Sequence, residues 1–250
     1  MEGSPAGRDA KDALFAALAS VAKALGNGHR TEIVDVLAQG ERQVEEIAGE
    51  IGQSVANTSQ HLQRLTHAGL LRPRRQGTRV FYRLASERVA ELWSALRDVA
   101  TEHVAEVEVL AAAYLGSRDG VEQLSAAELA ERLSEGRVVV LDVRPSREYE
   151  AGHIAGAESA PLSELPELLD RFPATAEFVA YCRGPYCVYA DQAVRLLRAR
   201  GRTARRLSTG FPEWRRAGLP VSLAGPAERT ETAATAAAPP LTAAQRADTR

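Results

Sequence analysis

The sequence predicts two domains, an N-terminal domain that is mainly α-helical and a C-terminal α/β domain with a mainly parallel sheet. Apolar residues recur at three- and four-residue steps through most of the chain up to residue 115, which is typical of amphipathic helices. Short apolar runs at 138–141 and 178–181 are typical of buried parallel strands. Glycine, serine and aspartate at 116–120 predict the boundary. We therefore assign 12–116 and 121–223 to the two domains.

The composition indicates the cellular compartment of the protein and the kinds of partner that are excluded. The chain has 250 residues, 45% of them hydrophobic, and a net charge of −2. It contains no apolar run near the roughly 20 residues that a membrane span needs, and its start lacks the pattern of a signal peptide. Two cysteines are not a secreted disulfide framework. We expect a cytoplasmic protein without a membrane partner, with disordered ends at 1–11 and 224–250.

Four helices are predicted before residue 70. The first ends at 26–28, the second spans about 29–38, the third stops at Gly52, and Ser54 caps the fourth. Two short helices joined by a tight turn have the geometry that lays the second in the major groove. Asparagine and glutamine bind adenine edges there, and arginine binds guanine. The residues predicted to contact DNA from this segment are Ser54, Asn57, Ser59, Gln60, His61 and Arg64.

A hairpin follows at 70–84, with its turn at Gln76-Gly77 and arginines near the tip. Between 51 and 86 there is no acidic residue, whereas there are six arginines. Such a stretch indicates a polyanionic partner, with nucleic acid as the leading candidate. We interpret the hairpin as the wing of a DNA-binding domain. Its arginines predicted to contact phosphate or the minor groove are Arg74, Arg75 and Arg79.

A long helix is predicted at 86–115. One face carries an apolar stripe of Leu92, Leu96, Val99, Val107, Leu110 and Tyr114. A single helix beside a small domain can hardly bury this stripe, so the pattern favours a homodimer seam. His103 lies on the same stripe. We interpret it as an interface histidine, with a metal-ligand or pH-switch role as the alternative.

The N-terminal segment from about 14 to 114 resembles the ArsR family of winged-helix repressors, most clearly in SQHLQRLTHAGLL at 59–71. Many members of that family sense metals. Here the cysteine pair expected before the recognition helix is missing, because 41–46 contains no cysteine. The paired ligands of the zinc-sensing helix are also absent, because Asp98 stands five residues from His103. We expect no metal site and no cofactor.

Both cysteines lie in one loop between a predicted strand and a predicted helix. Ligands of open α/β sheets bind at the carboxyl ends of strands, where the next helix presents free N–H groups. A thiol there should have a depressed pKa, so we expect Cys182 to react as a thiolate. Burial as small apolar residues is the alternative. Phosphatase chemistry is disfavoured, because Val188 stands where the phosphate-clamping arginine belongs.

This loop, together with LDVRPSREYEAGHIAGA at 141–157 and GFPEW at 210–214, resembles a single rhodanese domain. The resemblance implies that Cys182 accepts a sulfane sulfur as a persulfide and passes it to a nucleophile. The donor would be a small molecule such as thiosulfate, polysulfide or a persulfide. By position, the site would consist of Cys182, Arg183, Gly184, Pro185, Tyr186, Cys187 and Val188. Ion pairs at its structural rim would involve Asp142, Arg144 and Glu148.

Together these patterns predict a homodimeric repressor that binds an inverted repeat in double-stranded DNA and is regulated by reactive sulfur species. Whether the rhodanese-like domain turns over thiosulfate or persulfide, or only senses it, stays open. In a further alternative the protein is a sulfurtransferase that uses the winged helix mainly to dimerise. The role of Cys187, as a resolving thiol or as a packing residue, also stays open.

Overall fold

The computed structural model describes residues 5–223 of the chain. The predicted C-terminal tail at 224–250 lies outside these residues, as do the first four positions. The first helix begins at Pro5, so the prediction of a disordered start was wrong for 5–11. Alanines favour the helix there, and Arg8 donates to Asp12 one turn further on at 3.2 Å.

The N-terminal domain is a helical unit with a small three-stranded sheet. Its elements are α1 (Pro5–Leu25), α2 (Gly28–Ala38), β1 (Arg42–Gln43), α3 (Val44–Glu50), α4 (Val55–His67), β2 (Leu71–Gln76), β3 (Arg79–Leu84), α5 (Glu87–His103) and α6 (Ala105–Leu115). The hydroxyl of Ser54 accepts from Asn57 N at 3.2 Å and caps α4 as predicted. Strands β2 and β3 form the expected antiparallel hairpin, and Gly77 supplies the positive φ of its turn.

The predicted helix at 86–115 is two helices, separated at Val104. This residue has φ −114° and ψ 94°, an extended conformation that ends α5. Its branched β-carbon lowers the helix propensity, but no glycine or proline marks the break in the sequence. Most of the predicted apolar stripe is exposed in the single chain, where Leu96 is 43% and Val99 56% accessible.

The C-terminal domain is built on a five-stranded sheet in the order β4-β9-β8-β5-β7, with every neighbouring pair parallel. A separate antiparallel pair joins β6 and β10. The elements are β4 (Gln123–Leu124), α7 (Ala126–Ser134), β5 (Val139–Asp142), α8 (Ser146–Ala151), β6 (His153–Ile154), β7 (Glu158–Ser159), α9 (Leu165–Leu168), β8 (Glu177–Tyr181), α10 (Tyr189–Ala199), β9 (Thr203–Leu207), α11 (Phe211–Arg216) and β10 (Val221–Ser222).

The central strands of this sheet are covered on both faces. Phe178 and Ala180 of β8 pack in one apolar cluster with α10, whereas Val179 and Tyr181 pack in a second cluster with Trp214. This alternation follows from the two-residue period of a strand. Strands β5 and β8 end side by side, with Asp142 paired to Tyr181, and residues 182–188 leave the sheet at that edge. Within residues 5–223, no helix is long and apolar enough to span a membrane.

Candidate functional site

The loop at 182–188 connects the end of β8 to the start of α10, where the sequence placed it. Cys182 is 1% exposed, and its carbonyl accepts from Phe211 N at 3.1 Å. Within the loop, Cys187 N donates to the Gly184 carbonyl at 3.2 Å. Arg118, in the connection between the domains, donates to the Pro185 carbonyl at 2.8 Å. The loop is therefore a tight turn that hydrogen bonds stabilise from α11 on one side and from the connection between the domains on the other.

The two thiols differ in their electrostatic environment. Burial raises the pKa of Cys182, and the N–H groups of Ala190 and Gly184 oppose this only in part. The hydrogen bond from the Cys182 thiol lowers the pKa of Cys187 to about 7, with help from the N–H groups of Arg183 and Tyr189. The expected low pKa therefore belongs to Cys187 rather than Cys182. Both sulfurs receive backbone N–H groups, so the two pKa values differ because burial raises that of Cys182 and the hydrogen bond between the thiols lowers that of Cys187.

Gly210 supports the loop from below. A β-carbon built at this position would lie 2.4 Å from both Arg183 C and Gly184 N, closer than real β-carbons approach backbone atoms. A glycine at 210 is therefore required for the loop to lie where it does. The GFPEW motif contains this glycine, so the sequence carried a signal for its importance.

The predicted rim residues Asp142 and Arg144 are completely buried. Arg144 donates to both oxygens of Asp142, from Nε to Oδ1 at 2.9 Å and from Nη2 to Oδ2 at 2.5 Å. The hydroxyl of Tyr181 donates to the same carboxylate at 2.6 Å and accepts from Ile154 N at 3.1 Å. These groups form a satisfied polar network under the sheet edge, which fits a structural role.

Glu148 pairs with other arginines than the sequence suggested. Its carboxylate accepts from Arg183 Nη2 at 2.6 Å and from Arg42 of the N-terminal domain. Neither Asp142 nor Arg144 is its hydrogen-bond partner among the described residues. Glu148 and Arg42 are 1% and 2% exposed, so this ion pair is buried between the two domains.

Arg183, the residue after Cys182, also reaches the N-terminal domain. Its Nη1 and Nη2 donate to the Glu50 carboxylate at 2.8 and 3.0 Å. Although burial opposes it, these bonds lower the pKa of Glu50 below its ordinary value. Nearby, the hydroxyls of Tyr186 and Thr101 lie 2.5 Å apart, which joins the loop to α5. The N-terminal domain therefore forms one wall of the loop.

The exposed face of α4 carries most of the predicted DNA-contacting residues. Gln60, Arg64 and the capping Ser54 are exposed, whereas Asn57 and Ser59 are half-buried. His61 is 7% exposed, and neither ring nitrogen has a hydrogen-bond partner within the described part of the chain. We withdraw His61 from the predicted contacts, because it faces His29 and the domain interior.

In the wing, Arg75 and Arg79 are exposed, but Arg74 is already paired. Its Nε donates to both oxygens of Glu41 at 2.9 and 3.1 Å, and its guanidinium lies 4.7 Å from the centre of the Phe81 ring. The bond from Arg74 lowers the pKa of Glu41. Within the described part of the chain no carboxylate pairs with Arg75 or Arg79, so these two arginines supply the positive charge at the tip of the wing.

Comparisons with known proteins agree with this architecture. Residues 27–72 match the family described as "Bacterial regulatory protein, arsR family", and residues 125–217 match "Rhodanese-like domain". The HTH-type transcriptional regulator Rv0324 of Mycobacterium tuberculosis is 48% identical over 218 residues, which cover 87% of this chain and 96% of that protein. The chain belongs to the ArsR family of transcriptional regulators.

Solved structures similar to this ArsR-family chain cover its two domains separately. A homodimeric winged helix-turn-helix DNA-binding domain from Mycobacterium bovis is 46% identical and covers 42% of this chain and 95% of its own, with a TM-score of 0.38. A rhodanese-related protein from Thermoplasma volcanium is 28% identical and covers 41% of this chain and 99% of its own, also with a TM-score of 0.38.

The sequence reasoning missed three residues of the ArsR-family domain that contact the loop at 182–188, here called the sulfur loop, or Glu148 beside it. Gln39, Arg42 and Glu50 carry no motif that would single them out. Their contacts with the rhodanese-like domain join positions more than 100 residues apart. Tyr181 was predicted as a strand residue, but the bond from its hydroxyl to Asp142 was not.

Proposed function

We propose that this regulator is a homodimeric repressor of an inverted-repeat operator, and that reactive sulfur species control it through Cys182. One observation carries the proposal. The loop that holds both thiols contacts the DNA-binding domain directly, through Arg183 to Glu50 at 2.8 Å and through Tyr186 to Thr101 at 2.5 Å. A chemical change in the loop therefore meets a surface of the DNA-binding domain.

The arrangement of the thiols supports sulfur transfer to Cys182. As its sulfur attacks the outer sulfur of thiosulfate, the proton of its S–H group passes to the Cys187 thiolate. A sulfur–sulfur bond forms on Cys182, the sulfur–sulfur bond of thiosulfate breaks, and sulfite leaves with that electron pair. The N–H groups of Ala190 and Gly184 are directed at the Cys182 sulfur, which favours negative charge at this end of the loop.

Two exposed apolar faces support a homodimer. On α1, Leu14, Phe15 and Leu18 are each more than half exposed, and α5 adds Leu96 and Val99. Apolar surface of this extent favours burial against a second copy. A two-fold dimer would place two α4 helices on successive half-sites, which matches an inverted repeat. The homodimeric state of the similar domain from Mycobacterium bovis is consistent with this assembly.

A second candidate is an active sulfurtransferase in which the winged helix mainly dimerises the enzyme. In its favour, Cys187 lies against the Cys182 sulfur in the same loop, and its lowered pKa makes it a proton acceptor for turnover. Under this alternative, loading Cys182 with sulfur leaves DNA affinity unchanged, and thiosulfate:cyanide activity is high.

The test measures binding of the full-length protein to DNA from upstream of its own gene and to random duplex, with and without thiosulfate or polysulfide. We expect preferential binding to the upstream DNA, release on sulfur treatment, and a gain of sulfur on Cys182 by mass spectrometry. Cys182→Ser should keep the binding and lose both the release and the gain of sulfur. Equal affinity for upstream and random DNA would contradict the repressor proposal. Release that persists in Cys182→Ser would contradict the role of that thiol.

A further inference from the structure

Gln39 belongs to the DNA-binding domain but lies beneath the sulfur loop. It is the C-cap residue of α2 and is 3% exposed. Its Nε2 donates to the carbonyl of Arg183 at 3.3 Å, and its Oε1 accepts from Arg144 Nη1 at 3.2 Å. One glutamine therefore joins the backbone next to Cys182 to the buried network of the sheet edge.

The Arg144 side of this link is fixed. Besides its bonds to Asp142, Arg144 donates from Nη2 to the Gly152 carbonyl at 2.7 Å. The charge and hydrogen bonds of Asp142 raise the pKa of Arg144 despite its burial, so it stays a cation at any ordinary pH. When the loop moves, the bond from Gln39 to the Arg183 carbonyl is the one that must break.

Glu50 makes the second link, through the side chain of the same loop residue. It ends α3, and its two bonds to Arg183 are 2.8 and 3.0 Å long. Both helices that carry these links pack on the recognition helix α4. Ile33 of α2, Ile47 of α3 and Leu62 of α4 are fully buried members of one apolar cluster. A shift of either helix is therefore transmitted to α4 through close-packed side chains.

We propose that Gln39 and Glu50 are positioning residues of the sulfur site, contributed by the DNA-binding domain. Through them, sulfur on Cys182 weakens the binding of DNA to α4, and DNA on α4 lowers the loading of Cys182 with sulfur. This inference rests on the proposed function. Cys182 is 1% exposed and packs in an apolar cluster, so an added sulfur atom displaces the loop and weakens both contacts of Arg183. Because such coupling is reciprocal, bound operator DNA must lower the equilibrium loading of Cys182 by the same factor.

The experiment closes this thermodynamic cycle in the full-length protein. Thiosulfate and sulfite at a fixed ratio set the equilibrium loading of Cys182, which is measured by mass spectrometry with and without the upstream DNA. DNA affinity is measured on the unloaded and loaded protein. In wild type we expect the factor by which DNA lowers the loading of Cys182 to equal the factor by which loading lowers the DNA affinity, at roughly 5- to 150-fold. In Gln39→Ala and Glu50→Gln both should fall together, to about twofold or less.

Glu45→Gln is the matched control for Glu50→Gln. It makes the same change of charge on the same helix, but Glu45 lies at the opposite end of α3 and, within the described residues, forms no ion pair with Arg183. It should keep the wild-type factors. Glu50→Gln preserves the shape of the side chain, so it serves if Gln39→Ala fails to fold. Wild-type factors in both variants would overturn the inference.

Different results would contradict the positioning role and the proposed function. If sulfur loading leaves the DNA affinity of wild type unchanged, the proposed function is wrong, and the positioning role is judged without DNA. The bond from Gln39 holds the unloaded loop, so Gln39→Ala should raise the ratio of loaded to unloaded Cys182 by roughly fivefold. An unchanged ratio in that variant and in Glu50→Gln would overturn the positioning role as well.

Discussion

At the scale of single residues, the two thiols of the loop share their protons unequally. Cys182 lies in the core, where burial raises its pKa, and its S–H group stays intact at neutral pH. That group donates to Cys187, whose pKa falls to about 7. In the reduced loop the negative charge therefore resides on Cys187 before Cys182 as the pH rises. The thiolate is next to the sulfur that the resemblance assigns as acceptor, and it is placed to take its proton.

This division of roles predicts the pH dependence of alkylation. The rate at which Cys187 reacts with iodoacetamide should rise through a midpoint near pH 7, below that of an ordinary cysteine at about 8.5. Cys182 should react far more slowly because it is buried. In Cys182→Ala the donor is lost, the Cys187 thiolate is less stable, and the midpoint should move up. Mass spectrometry of the two alkylated peptides over a pH series measures both rates, and an unmoved midpoint in Cys182→Ala would refute the shared proton.

The residue types of both sites were predictable from the sequence, but their environments were not. The position of Cys182 after a strand predicted the correct loop, whereas its pKa depends on how completely the helices and Gly210 exclude water. His61 shows the same limit. Histidine suits a DNA-contacting helix, but position 61 points inward in α4, and only the packing of α2 against α4 reveals this.

At the scale of elements, the sulfur loop and α11 fit together through a glycine. Gly210→Ala places a methyl group 2.4 Å from the loop backbone, which has no rotamer with which to move away. We expect a loss of stability of about 1–3 kcal/mol, as in other overpacked sites, together with loss of sulfur loading on Cys182. Denaturant unfolding and mass spectrometry measure the two effects. In Gly49→Ala, where a β-carbon meets nothing within 4 Å, stability should stay the same or rise.

The wing predicts a difference between neighbouring arginines. Arg75 is unpaired at the tip, so Arg75→Ala should reduce the slope of log affinity against log salt by about 0.9, the value for one lost phosphate contact. The charge of Arg74 is already balanced by Glu41. Removing both partners, in Glu41→Gln with Arg74→Ala, should therefore leave the slope unchanged. A salt series of binding isotherms provides the comparison, and equal slopes for the two variants would show that Arg74 leaves Glu41 to bind phosphate.

Element boundaries were predictable where a capping residue or a glycine marks them. Ser54, Gly77 and the capping box at Ser125 each have a local chemical reason that the sequence displays. The break at Val104 has none, because valine belongs equally to an apolar stripe. The periodicity of the stripe does not record its extended conformation, and α6, which begins after it, has no buried residue.

At the scale of the whole molecule, the two domains are joined by ion pairs that no local pattern predicts. Arg42 is separated from Glu148 by 106 positions, and Arg183 from Glu50 by 133. The sequence predicted a regulator domain followed by a rhodanese-like domain. The structure adds that the loop with both cysteines contacts the regulator domain, so the domain order alone understates how closely the two domains are connected.

The buried pair between Arg42 and Glu148 should make the two domains unfold together. Replacing Arg42 leaves a buried carboxylate with one of its partners missing, and loss of one partner of a buried pair costs about 3–5 kcal/mol. At the same interface Arg147 pairs with Glu46, but these side chains are 44% and 27% exposed. Arg147→Met should therefore change the free energy of unfolding by at most about 1 kcal/mol. The decrease in Arg42→Met should be several times larger.

The two tryptophans of the chain make this measurable, because Trp93 lies in α5 and Trp214 in α11, one in each domain. Urea unfolding at one protein concentration, followed by fluorescence in Trp93→Phe and Trp214→Phe backgrounds, reports on each domain separately. With Arg42 present the two transitions should coincide, as expected for one cooperative unit. In Arg42→Met they should separate, and in Arg147→Met they should stay together. Separate transitions already in the presence of Arg42, or an equal loss in Arg147→Met, would mean that the buried pair does not couple the domains.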